Sequence, residues 1–238
     1  MVFFVFVFEQ LVFFVFVFFT TILISTFAYQ HVVFMKGIRH IIFDLGGVLI
    51  NIDYQRTERA FVEAGVSNFA ELYSQLQQSD LFDRFETGKI EPDEFIAAMK
   101  AASGREITEA QILDAWNAML LDFPLRRLQI LQQLRLYHDL FLLSNTNAIH
   151  EETFNGILMR NHGIPNIGVF FDKVYLSHRV GLRKPMREIF ERVLEDNGLK
   201  PEHTLFIDDS PQHIAGAQVL GIQTIYLEKG KDIEDIFR

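Results

Sequence analysis

The chain has 238 residues, a formal net charge of −9 and no cysteine. That length permits one sizeable core, with or without an inserted unit, and an acidic balance without a basic run excludes a nucleic-acid footprint. The missing cysteine excludes disulfides, thiolate metal sites and cysteine nucleophiles.

Residues 1–34 stand apart in composition, holding 11 of the 25 phenylalanines and a single charged residue, Glu9. Residues 11–28 form an uncharged, mostly apolar run close to the shortest helix that spans a bilayer. No Lys or Arg precedes the run, so it makes a poor signal peptide. One reading is a membrane anchor, with Lys36 and Arg39 holding the rest on the cytoplasmic side. The preferred reading starts the working protein at Met35, as a cytoplasmic protein, because Phe/Val repetition of this kind resembles low-complexity sequence.

From residue 41 onward, short apolar runs alternate with amphipathic stretches. Strands are expected at 41–45, 140–144, 173–177, 204–208 and 223–227. Helices are expected at 124–137, with Leu125, Leu128 and Leu131 on one stripe, at 148–162, at 186–197 with Gly198 as its stop, and from Ser210-Pro211 to near Gly221. This alternation predicts a doubly wound, mostly parallel α/β sheet. Residues 54–123 break it. They carry four helical segments and no convincing strand, so residues 35–53 and 124–238 are expected to form the core domain and 54–123 a helical cap inserted after the first strand.

The polar residues that end the apolar runs converge in such a sheet, because ligands bind beyond the carboxyl ends of its strands. Strand 1 runs into Asp44 and then Gly46-Gly47, strand 2 ends in Ser144-Asn145-Thr146, and strand 4 ends in Asp208-Asp209. Lys184 in "LRKP" lies between strands 3 and 4. Carboxylates gathered there repel one another unless a cation is present, and Asp44 with Asp208 makes a hard oxygen site suited to Mg²⁺. A carboxylate beside Mg²⁺ can attack phosphorus, while Lys184, Ser144 and Asn145 hold the phosphate oxygens. The eight histidines show no ligand spacing, and Trp116 reads as core.

In the order Asp44, Ser144, Lys184, Asp208-Asp209, residues 38–238 resemble the haloacid dehalogenase superfamily. Within it, "FDLGGVLINID", "FETGKIEPDEF", "LLSNTN", "GLRKP" and "FIDDSPQHIAGAQVLGI" are most similar to bacterial α-D-glucose-1-phosphate phosphatases. The resemblance implies a Rossmann-like core, an aspartyl-phosphate on Asp44, and Mg²⁺ held by Asp44, the Gly46 carbonyl and Asp208, with Asp209 beside or sharing it. The implied partner is a small phosphorylated metabolite. Most such phosphatases carry a second aspartate, the general acid, where this chain has Gly46. Losing a general acid removes about 10²–10⁴ in rate, so either the leaving group is a good one, as an anomeric hydroxyl is, or another acid such as Asp53 takes over. Two other functions stay open at this point: dehalogenation, which needs neither second aspartate nor metal, and a catalytically weak binding or regulatory role.

Overall fold

The computed structural model describes residues 36–237 other than Ser79 and Arg105. The apolar extension of residues 1–34, and with it both readings of its role, lies outside the described residues. Among the described residues no helix is long and apolar enough to cross a membrane.

Five parallel strands form one sheet in the order β3-β2-β1-β4-β5: β1 His40–Phe43, β2 Asp139–Ser144, β3 Lys173–Leu176, β4 Thr204–Asp208 and β5 Gln223–Tyr226. Ile41, Ile42 and Phe43 are buried, as a central parallel strand covered on both faces requires. Phe43 pairs with Leu142 on one side and with Ile207 on the other. That register brings Asp44, one residue further on, level with Asp208, and the Asp44 amide donates to the Ile207 carbonyl at 2.9 Å. β1 stops at Phe43, short of the expected residue 45, because the chain then curls. The amides of Leu49 and Ile50 both donate to the Leu45 carbonyl.

Among the described residues, five helices fall within 54–123, between β1 and the helix that leads into β2: α1 Tyr54–Glu63, α2 Phe69–Gln78, α3 Leu81–Glu86, α4 Pro92–Ser103 and α5 Glu109–Asn117. The sequence reading expected four. The extra one, α3, is a six-residue helix entered through Asp80 at φ 60°, too short to register as a periodic pattern. Asp53 caps α1, accepting from the Gln55 amide, and Thr108 with Gln111 forms a capping box on α5. The helices share an apolar cluster in which Phe61 stacks on Phe69 and Phe82 stacks on Trp116. Trp116 therefore belongs to core, as expected. The chain enters and leaves this insertion side by side. Ile52 bridges Leu120 in antiparallel fashion, flanked by hydrogen bonds from Leu121 to Asn51 and from Asp53 to Met119.

The remaining helices that frame the sheet are α6 Leu125–Leu134, α7 Ala148–His162, α8 Ser177–Val180, α9 Arg187–Asn197 and α10 Pro211–Gln218. In α6 the buried stripe is Leu128, Leu131 and Leu134, whereas Leu125 is exposed at the first turn, against expectation. α9 buries Ile189, Phe190, Val193 and Leu194, and ends at Gly198 with φ 61°.

His150, in the first turn of α7, ties this helix to the insertion. Its Nε2 lies 3.1 Å from the Trp116 carbonyl, and its ring stacks on the indole. Burial pushes its pKa down to about 4, although the Trp116 carbonyl pulls it partly back. An unfolded histidine takes up its proton near pH 6.5, while the folded one resists until about pH 4. Stability conferred by His150 is thus complete above pH 6.5 and falls as acid is added through that window, by about 3 kcal/mol at its foot. Thermal unfolding followed from pH 7 to pH 4 should fall more steeply in the wild type than in His150→Gln. Equal slopes would show that His150 takes up protons alike in both states.

Candidate active site

The strand register sets the centre of the site. Lys184 is fully buried, and its Nζ lies 2.8 Å from Asp44 Oδ1 and 2.7 Å from Asp208 Oδ2. Two carboxylates on adjacent strand ends would repel each other; the ammonium between them offsets this. Burial alone would lower the lysine pKa, but the two aspartates outweigh it and the net shift is upward. Burial pushes the Asp44 carboxyl up, Lys184 pulls it back, and Asp208 pushes it further up. Asp208 ends below the usual carboxylate range: burial raises it, but Lys184 and His213 more than compensate.

Asn145 positions Lys184. Its Oδ1 accepts from the Lys184 amide and its Nδ2 donates to the Lys184 carbonyl, both at 2.8 Å. The Asn145 carboxamide is thereby committed to the lysine backbone. Among the described residues, Ser144, buried at the end of β2, makes only a long 3.5 Å side-chain contact to the Asn145 carbonyl, so its hydroxyl is available to a ligand.

The donor set fits a divalent cation. One ligating atom each from Asp44, Asp208 and His213 lies within 4.8 Å of the others. Among the described residues the Gly46 carbonyl accepts no backbone hydrogen bond, which leaves it free as a further oxygen donor. Asp209 is outside that group of three. Its carboxylate overlies Gly47, whose φ is +71° and whose Cα could not carry a Cβ without striking Asp209. His213 was given no role from sequence. It sits in the first turn of α10, with Nδ1 3.0 Å from both Asp208 oxygens, and the signal for it was a histidine five residues after a strand-end aspartate, beyond a proline that starts a helix.

Asp44, Gly46, Ser144, Lys184, Asp209 and His213 line the floor of a cavity of about 660 Å³, with Asp208 buried beneath it. Its walls come largely from the insertion and its linkers, including Ile52, Tyr54, Phe69, Tyr73, Glu86 and Trp116. Asp53, the alternative acid considered above, is placed otherwise. It caps α1 and pairs with Arg56 at 3.5 Å and Arg59 at 3.2 Å. At Gly46 a Cβ would stand 2.6 Å from Ile52 Cδ1, so the second aspartate of the usual pattern could enter only if Ile52 moved.

Strand order, Lys184 bridge and helical insertion together define a class, and the chain belongs to it: it is a haloacid dehalogenase-like hydrolase, matching that family over residues 38–221. It is similar to a D-ribitol-5-phosphate phosphatase of Bacteroides thetaiotaomicron, 33% identical over 195 residues, which are 82% of this chain and 94% of that protein. A haloacid dehalogenase family enzyme from the same organism, solved with magnesium and inorganic phosphate, superimposes with a TM-score of 0.76 at 38% identity, over 84% of this chain and all of that one. A family hydrolase from Porphyromonas gingivalis gives 0.74 at 35% identity, over 85% of this chain and 99% of that one. The named substrate of the first relative is a polyol 5-phosphate, not the glucose 1-phosphate that the sequence segments suggested. Most of those segments are strand ends and loops of the cavity floor, not parts of the insertion wall.

Proposed function

We propose that the chain is a Mg²⁺-dependent phosphatase acting on a small polyol or sugar phosphate through a covalent intermediate on Asp44. The observation that carries this reading is Lys184 bridging Asp44 and Asp208 beneath the cavity. Asp44 Oδ1 is occupied by Lys184 and by the Leu45 amide at 2.7 Å, which leaves Oδ2 to attack phosphorus. The bond from phosphorus to the alcohol oxygen breaks as the bond to Asp44 forms. Water then attacks the aspartyl-phosphate, releasing inorganic phosphate and restoring the carboxylate. Lys184 and the Ser144 hydroxyl hold the phosphate oxygens. Asp44, Asp208 and the Gly46 carbonyl would hold the cation, with Asp209 and His213 next to it. When bound, Mg²⁺ neutralises phosphate charge and stabilises what develops on it during transfer. Residues 54–123 act as a cap over this floor and supply most of the alcohol-binding wall.

With Gly46 in place of an acid and Asp53 committed to α1, the departing oxygen keeps more of its negative charge in the transition state. The rate then depends steeply on leaving-group basicity, about tenfold for each 1.4 kcal/mol. Glucose 1-phosphate should have a higher chemical rate than glucose 6-phosphate, whose primary alkoxide is more basic. Ribitol 5-phosphate also leaves as a primary alcohol, so it is a preferred substrate only if cap contacts offset this. Single-turnover rates and kcat/KM over these three esters and a nucleotide, with Mg²⁺ and with excess chelator, test the reading. Hydrolysis that vanishes in chelator is expected; undiminished hydrolysis in chelator, or none of any ester, would overturn it.

A further inference from the structure

One carboxylate in the cavity wall is not used by this chemistry. Glu86 ends α3 and lines the same cavity as Asp44 and Lys184. Its Oε2 is buried and lies 3.2 Å from Arg183 Nη1, which also reaches Asp83 Oδ1 at 3.1 Å. Arg183 immediately precedes Lys184, so the ion pair sets Glu86 at a defined place relative to the nucleophile. The chain just beyond Glu86 is seated equally closely: Gly88 has φ +65°, and a Cβ there would strike the His178 carbonyl.

Among the described residues, the indole N–H of Trp116 is buried in the same wall without a hydrogen-bond partner, whereas Thr57 and the neighbouring His150 of α7 are satisfied. Thr57 Oγ1 donates to the Trp116 carbonyl at 3.3 Å, and the His150 nitrogens are taken by that carbonyl and by Asn147. Around them the wall includes Phe69, Tyr73, Trp116, Met119 and Leu120, with Gln55 and Glu58 of α1 as further polar members. Burial pushes the Glu86 carboxyl up; Arg183 opposes this and Asp83 adds to it. A carboxylate in such a wall is costly unless whatever fills the cavity donates hydrogen bonds to it.

We infer that Glu86 is the specificity residue of the site: its carboxylate, held by Arg183, accepts hydrogen bonds from the hydroxyls of the leaving alcohol while the phosphate rests at Asp44. The inference rests on the phosphatase reading above and deepens it. A polyol or sugar offers adjacent hydroxyls to one carboxylate, whereas an alcohol without further hydroxyls leaves it with Arg183 alone. Sites built to bond a substrate hydroxyl reject analogues that lack it far more strongly than apolar pockets reject a misfit.

The test is a ratio, kcat/KM for ribitol 5-phosphate over kcat/KM for phenyl phosphate, in the wild type, Glu86→Gln and Glu86→Leu. Glu86→Leu should lower the ratio about 100-fold, mostly through KM for the polyol ester, with Glu86→Gln between it and the wild type. If the Glu86–Arg183 pair only braced α3 against the rest of the protein, both esters would suffer alike and the ratio would hold, which would overturn the inference. A wild type that cleaves phenyl phosphate and no polyol or sugar phosphate would overturn it too, leaving the phosphatase chemistry on Asp44 standing but not its polyol or sugar substrate. A wild type that cleaves neither would remove both.

Discussion

Asp44→Asn is expected to abolish turnover, lowering kcat on the order of 10⁵–10⁶-fold, the scale on which an enzyme loses activity with its nucleophile. The substitution is nearly isosteric. An asparagine Oδ1 can still accept from the Leu45 amide and lie beside Lys184, which keeps its contact to Asp208 at 2.7 Å. The fold and the cavity should therefore persist, and the melting temperature should change by a few degrees at most. What disappears is an anionic oxygen able to form a bond to phosphorus. Wild-type protein quenched in acid during turnover should carry one phosphate on the peptide containing Asp44, and the variant should carry none. Activity within tenfold of wild type in Asp44→Asn would exclude the covalent route.

Lys184→Met should produce the next largest effect, and on stability as well as rate. The ammonium is fully buried and sits within 2.8 Å of both Asp44 and Asp208. Removing it leaves two carboxylates on neighbouring strand ends without their counter-charge, in a setting where breaking a buried pair costs about 3–5 kcal/mol. For a chain of this size that is a drop on the order of 10 °C in melting temperature. The loss should be greatest in chelator and partly reversed by Mg²⁺, since a cation held by the same carboxylates supplies the missing charge and binds only the folded state. Activity should fall by about 10²–10³, the usual effect of removing one group that stabilises charge in the transition state. Unfolding curves with and without Mg²⁺, beside kcat, check both. If melting in chelator were unchanged, the bridge would contribute nothing to holding the strand ends together.

The sequence by itself determined the alternation of strands and helices, because each apolar run reports the burial of its own element. It also showed where four chemistry-bearing stretches end those runs. Asp44, Ser144, Lys184 and Asp208 were legible for that reason: each is a polar residue at or near the limit of a buried segment. Gly46, standing where the usual pattern has an aspartate, was legible only through the resemblance to the family. Short-range pattern could not register α3, whose six residues complete less than two turns. Nor could it assign side chains whose role depends on a partner far along the chain. Asn145 meets Lys184 across 39 residues, His150 meets Trp116 across 34, and Arg183 meets Asp83 across 100. Asp53 looked like a spare acid until α1 and its two arginines claimed it. Only tertiary structure decided these pairings, because hydrogen bonds and ion pairs form between atoms that the closed chain brings within about 3 Å. Periodicity along one element carries no information about which other element will lie opposite.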